Sequence, residues 1–126
     1  IIKLDESGNI IWEKTYGEKF EDKAEHILLT KNGDLLVTGS QMTVSSSTIE
    51  TWVVKLNADG EKIWDKKIGG HFRCYGQASA EFADKFIIAG YFEPLSEEKY
   101  KENKARLTVM DQHGNMVWDK IFGRKE

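Results

Sequence analysis

The sequence predicts an all-β fold in which four-stranded antiparallel sheets stack as the blades of a β-propeller. Three observations carry that prediction. A turn of the form Asp/Asn-x-x-Gly, followed by a Trp-acid-Lys triplet, occurs three times, with its tryptophans at Trp12, Trp64 and Trp118. Between these copies lies a second unit: Ile27 to Gly39 aligns with Ala78 to Gly90 at an offset of 51 residues. No stretch shows sustained 3.6-residue apolar spacing, which leaves strands as the repeating element. Self-similarity at about 40 to 55 residues with four strands per unit describes a propeller blade, whereas solenoid repeats are shorter or helical.

Each unit reads as a hairpin. In the first, Ile1 to Tyr16, the turn Asp5-Glu6-Ser7-Gly8 puts an acid at the first position of a type I turn. Its glycine at the fourth position can take the left-handed conformation of a G1 bulge. Asn57-Ala58-Asp59-Gly60 and Asp111-Gln112-His113-Gly114 repeat that chemistry. Lys31-Asn32-Gly33-Asp34 carries Asn-Gly, the favoured pair for a type I′ turn. The flanking runs are β-branched and aromatic, mostly four to six residues long. Five hairpins give ten strands: the outer hairpin of an incomplete blade over 1–17, one blade over 24–69 and another over 76–123. The glycines that close strands, Gly39 and Gly90, are expected where backbones crowd near the axis. The tryptophans are expected on outer strands, packed between neighbouring blades. Ser96 to Ala105, charged and free of glycine, reads as a solvated loop rather than a short helix.

Two and a half blades do not make a ring, which takes about four to eight. The expected partners are therefore the remaining blades of a longer chain or further copies of this one. In isolation, apolar blade faces and strand edges would be left open.

The composition fits a globular chain. Of 126 residues, 40% are hydrophobic and 31% charged, with 11 glycines and one proline, which excludes a disordered or low-complexity segment. The net charge of −3 is spread without a basic stripe, so neither nucleic-acid binding nor membrane insertion is expected. Cys74 is the only cysteine; it forms no internal disulfide and reads as a small core residue.

The string Trp52-Val53-Val54-Lys55-Leu56-Asn57-Ala58-Asp59-Gly60-Glu61-Lys62-Ile63-Trp64, closing on Gly69-Gly70, resembles the bacterial β-propeller repeat of secreted and surface proteins. Asn32-Gly33-Asp34-Leu35-Leu36-Val37-Thr38-Gly39 matches the second part of that repeat. The resemblance covers nearly the whole chain and implies a propeller fold and an extracytoplasmic setting, without a common reaction. The Asp-x-x-Gly-x-x-x-Trp pattern is also similar to the tryptophan-docking motif of quinoprotein propellers. There the motif staples blades together and is not the quinone site, so the likeness implies no quinone cofactor.

Motifs for chemistry are sparse. His26, His71 and His113 lack metal-site spacing, and Asp5-Glu6-Ser7-Gly8-Asn9 lacks the run of oxygen ligands that calcium needs. No nucleotide or nucleophile fingerprint is present, and no cofactor is expected. Acid pairs such as Glu21-Asp22 and Glu97-Glu98 read as solvated surface rather than glycosidase carboxylates. Lys3, Lys14, Lys55, Lys66 and Lys120 alternate with apolar residues, as charges that blunt strand edges do. On the innermost stretches, Ile27 to Thr30 and Ala78 to Glu81, only Thr30 and Glu81 are polar enough for catalysis. The repeat is broken at His71-Phe72-Arg73-Cys74-Tyr75 and over Tyr91 to Tyr100. Departures from a repeat concentrate where ligands bind on a loop face, which makes His71, Phe72, Arg73, Tyr75, Tyr91 and Tyr100 the candidate ligand or partner surface. The function expected is a non-catalytic interaction scaffold or ligand-binding platform, for a protein or a carbohydrate. The alternative is part of a propeller enzyme whose active site forms only in the complete ring.

Overall fold

The computed structural model describes residues 1–43, 48–69, 73–93 and 104–123. These residues form ten strands and no helix, so no helix is long and apolar enough to cross a membrane; β-barrels are outside that statement. Strands β1 (Ile2–Leu4) and β2 (Ile10–Glu13) form a two-stranded sheet. Strands β3 (Asp22–Leu29), β4 (Leu35–Thr43), β5 (Thr48–Leu56) and β6 (Lys62–Ile68) form a four-stranded sheet in that order. The third sheet repeats it with β7 (Arg73–Phe82), β8 (Lys85–Glu93), β9 (Lys104–Met110) and β10 (Met116–Phe122). All pairings are antiparallel meanders, as successive hairpins dictate. The chain is two propeller blades and half of another. Most strands run seven to ten residues, longer than the apolar runs, because strands such as β4, β5 and β7 continue through Ser, Thr or Gln.

Three turns fold as their chemistry requires. Gly8, Gly60 and Gly114 have φ of 83°, 78° and 80°, and the amide of each donates to the carbonyl of the acid or Asn three residues back. The side chain of that residue accepts further amides: Asp5 Oδ1 takes Ser7 and Asn9, and Asp111 Oδ1 takes His113 and Asn115. The expected type I′ turn at Asn32-Gly33 is not formed. Only Gly33 has positive φ, its amide bonds the Thr30 carbonyl, and the Thr30 hydroxyl accepts the Asp34 amide, so this turn joins the other class. The type I′ conformation falls instead at Ala83-Asp84, with φ of 46° and 59° between the paired Phe82 and Lys85. That turn is one residue shorter, so the inner strands correspond at 52 residues (Ala24 with Gly76) while the second strands keep 51 (Gly39 with Gly90). Thr30 and Glu81 are therefore not equivalent positions.

The blades are joined by the tryptophans on their outer strands. Trp12 of β2 donates its indole N–H to the Ala58 carbonyl at 3.2 Å, and Trp64 of β6 donates to the Gln112 carbonyl at 3.0 Å. Each ring lies against the turn glycine of the next sheet, Gly60 or Gly114, where a Cβ would meet it at about 3.0 Å. Lys3, Lys14 and Tyr16 add donors to Ala58, Asp59 and Gly60. Leu36, Val53, Ile68, Phe86, Ile88 and Met110 fill the layer between the four-stranded sheets. Val37, Val54 and Leu56 pack toward Ile1 and Tyr16 in the other layer.

Two expectations about side chains need adjustment. Lys55 does not blunt an edge: it is 7% exposed, with Nζ 3.4 Å from Asp34 Oδ2 and 5.7 Å from the centre of the Phe86 ring. It sits on the third strand, facing the next sheet, where only its partners make burial tolerable. The acids of the second and third Trp-acid-Lys triplets also have a task the sequence did not show. Asp65 accepts the Trp52 indole N–H at 2.9 Å, and Asp119 takes a two-pronged bond from Arg106 plus the Thr108 hydroxyl. Trp52 and Arg106 occupy one repeat position, each paired across from its closing glycine, Gly39 or Gly90. Cys74 is buried as expected, under the Arg106 guanidinium, and burial pushes its thiol up.

Candidate functional site

The inner edges of the two four-stranded sheets face each other along β3 and β7. His26 Nδ1 accepts the Ser79 amide and lies 3.1 Å from its hydroxyl. Glu81 accepts the Lys31 amide at 2.8 Å and the Gln112 side-chain amide at 3.2 Å. The two residues singled out for catalysis are thus engaged in the frame: Thr30 closes its turn and Glu81 ties β7 to the neighbouring hairpins.

Close approach of the blades is set by glycine. A Cβ on Gly76 would come within 2.7 Å of the Gly39 carbonyl oxygen and 2.7 Å of the Thr51 methyl. Gly39 and Gly90 themselves crowd the first strand of their own sheets, against the carbonyls of Lys23 and Tyr75. Immediately beyond that contact both inner strands carry a bulge. The register skips Glu25 between Ala24 and His26, and Gln77 between Gly76 and Ala78. A bulge re-aims the extra side chain, and Glu25 and Gln77 line one cleft of about 160 Å3 between the sheets.

Tyr75 and Tyr91 form the wall of that cleft. They pair across β7 and β8 and stack with centroids 4.8 Å apart and planes at 21°. The corresponding cross-strand pair of the preceding sheet is Lys23 with Ser40, and these line the same cleft. Glu21 joins Lys23 and Glu25 on one side, and Met42 and Ile49 supply apolar surface. Burial raises the Tyr75 hydroxyl above its ordinary range, reinforced by Glu93 and opposed by Arg73.

Of the six residues predicted for the surface, the structure brings Tyr75 and Tyr91 together in the cleft. Arg73 sits exposed two residues from Tyr75, paired with Glu93, and does not line it. His71, Phe72 and Tyr100 lie outside the described residues. Sequence reasoning missed Glu21, Lys23, Glu25 and Gln77. No offset signals them: both inner strands bulge at the same repeat position, so the bulge leaves the spacing of the repeats unchanged.

The blades, their meander order and their tryptophan joints define the chain as a segment of propeller-type repeats. It is 28% identical, over a 135-residue alignment covering 93% of the chain, to an uncharacterised WD repeat-containing protein of Acanthamoeba polyphaga mimivirus. The chain spans 9% of that protein's length. No family model matches the chain. A relative at this distance supports a propeller-type repeat, and leaves the bacterial surface family and the quinoprotein blade as resemblances of sequence.

Proposed function

We propose that this chain is an interaction scaffold whose ligand surface is the cleft walled by Tyr75 and Tyr91, and that the ligand is a segment of another protein. One observation carries the reading: two successive inner strands bulge at equivalent points and turn Glu25 and Gln77 into a single cleft, beside the tyrosine stack that breaks the repeat. At about 160 Å3 the cleft is smaller than the roughly 300–1,000 Å3 of sites that enclose a small molecule. It fits one anchoring side chain of a larger partner, which disfavours a carbohydrate. Panning a random-peptide phage library on the chain, after removing phage that bind a Tyr75→Ala/Tyr91→Ala variant, tests this. Enrichment of peptides that bind the chain and not the variant is expected. Peptides that bind both equally, or no enrichment, would refute it.

A second reading concerns assembly. The two-stranded sheet presents the β1 edge beside an apolar cleft of about 270 Å3 lined by Ile2, Leu4, Ile27, Leu29 and Leu35. In the next layer, Leu28 of the inner strand and Leu36 of the second strand pack into the core. A hairpin of the same repeat therefore suits the open cleft, from a longer chain or another copy. Light scattering on residues 1–126 should give a mass above 14.4 kDa. A stable monomer would count against an open docking face. The extracytoplasmic setting rests on the sequence resemblance alone.

A further inference from the structure

We infer that the Tyr75–Tyr91 cleft selects a basic side chain, a lysine or arginine presented by the partner; this rests on the reading of the cleft as a ligand surface. Three features of the lining point to that chemistry. The stacked tyrosines offer a π-face, which attracts a cation placed above it. Glu25 on β3 and Glu21 just before it line the cleft with Lys23, so carboxylates outnumber the single lining cation. Met42 and Ile49 provide the apolar floor that an aliphatic stem covers while its charged head reaches the carboxylates.

The molecule already uses this contact elsewhere. Lys14, Lys55 and Lys120 lie over Trp12, Phe86 and Trp118 at 5.6–5.8 Å from the ring centres. Among the described residues, no cation is found over Tyr75 or Tyr91. A basic ligand would complete at the blade junction the arrangement that intrachain lysines complete at Trp12, Phe86 and Trp118. Lys23 is the competitor: its ammonium repels the incoming head and compensates part of the carboxylate charge. That gives the inference a signature of opposite signs. Glu25→Gln should weaken a basic ligand, whereas Lys23→Met should strengthen it.

The test is proton NMR of the full chain, following the Tyr75 and Tyr91 ring resonances. The probes are Nα-acetyl-lysine methylamide, Nα-acetyl-arginine methylamide, Nα-acetyl-glutamate methylamide and methyl glucoside. The lysine and arginine probes should shift both rings and the other two should not, with the shifts reduced as salt is raised. Glu25→Gln should weaken the basic probes roughly threefold and Lys23→Met should strengthen them by a similar factor, as expected for exposed charge pairs. Circular dichroism of each variant checks that it is folded. If the glutamate or glucoside probe moves the rings and the basic ones do not, the cationic specificity is wrong while the cleft remains a ligand surface. If Lys23→Met weakens the basic probes, the charge argument fails. If no probe moves either ring, both readings fail.

Discussion

The tryptophan joints predict an asymmetry between residues that look alike in sequence. Trp64 and Trp118 head identical Trp-Asp-Lys triplets. Trp64 donates to Gln112, lies against Gly114 and tilts against Phe86 at 6.4 Å between ring centres. Trp118 is 40% exposed and carries Lys120 over its ring. Truncating a fully buried tryptophan to alanine costs about 3–5 kcal/mol. Trp64 is half-buried, so about 2 kcal/mol of packing and about 1 kcal/mol of hydrogen bond are at stake. Trp64→Ala should therefore destabilise the chain by about 3 kcal/mol, and Trp64→Phe, which keeps a ring and loses the donor, by about 1 kcal/mol. Trp118→Ala should stay within about 1 kcal/mol, the range of surface changes. The assay is urea unfolding at fixed protein concentration, because association would shift the midpoint. Equal losses at Trp64 and Trp118 would refute the docking account.

Other consequences follow from named contacts. Asp34→Asn leaves Lys55 buried without its carboxylate and should cost about 1–3 kcal/mol, while Lys55→Met, which removes the charge and keeps the stem, should cost less, both read by urea unfolding. Gly76→Ala drives a Cβ into the Gly39 carbonyl and two threonine methyls and should cost about 1–3 kcal/mol by the same measurement. Ala83→Asn with Asp84→Gly places better residues at the two positive-φ positions and should add about 1 kcal/mol, seen as a raised melting temperature. The carboxyl of Asp119 is held below its ordinary 3.8 by the Arg106 guanidinium, against burial and with help from Thr108. A depressed folded pKa gives stability that is present above 3.8 and lost as pH falls through the folded value, so Asp119→Asn should flatten the acid limb of the stability–pH curve below about pH 4.

The turns and tryptophans were legible because their chemistry is local. Asp5, Asn57 and Asp111 each fold their own four residues, and a glycine at positive φ leaves few alternatives. The ten strands and their sheet order followed from those turns. The type I′ turn was misplaced because Asn32-Gly33 satisfies two turn classes, and a side chain outside the pair, the Thr30 hydroxyl, decides between them. Ala83-Asp84 adopts the strained class because the Phe82–Lys85 register leaves two residues to close it. Lys55 looked like an edge lysine because alternation cannot show which strand of a blade faces a neighbour. The cleft was half legible: the broken repeat flagged Tyr75 and Tyr91, but Glu25 and Gln77 reach it through bulges, which depend on pairing across the sheet.

The claim that the blade junction is a binding surface is tested most directly by one comparison of affinities. A peptide selected on the wild-type chain, with no depletion on any variant, is labelled with a fluorophore, and its anisotropy is titrated with the wild-type chain, with Tyr75→Ala/Tyr91→Ala and with Trp118→Ala. Losing two aromatic contacts of about 1 kcal/mol each should weaken binding by about tenfold or more in the tyrosine variant. The tryptophan variant, altered at a ring away from the cleft, should bind as the wild type does. Equal affinity for the tyrosine variant and the wild type would place the binding surface elsewhere and contradict the account.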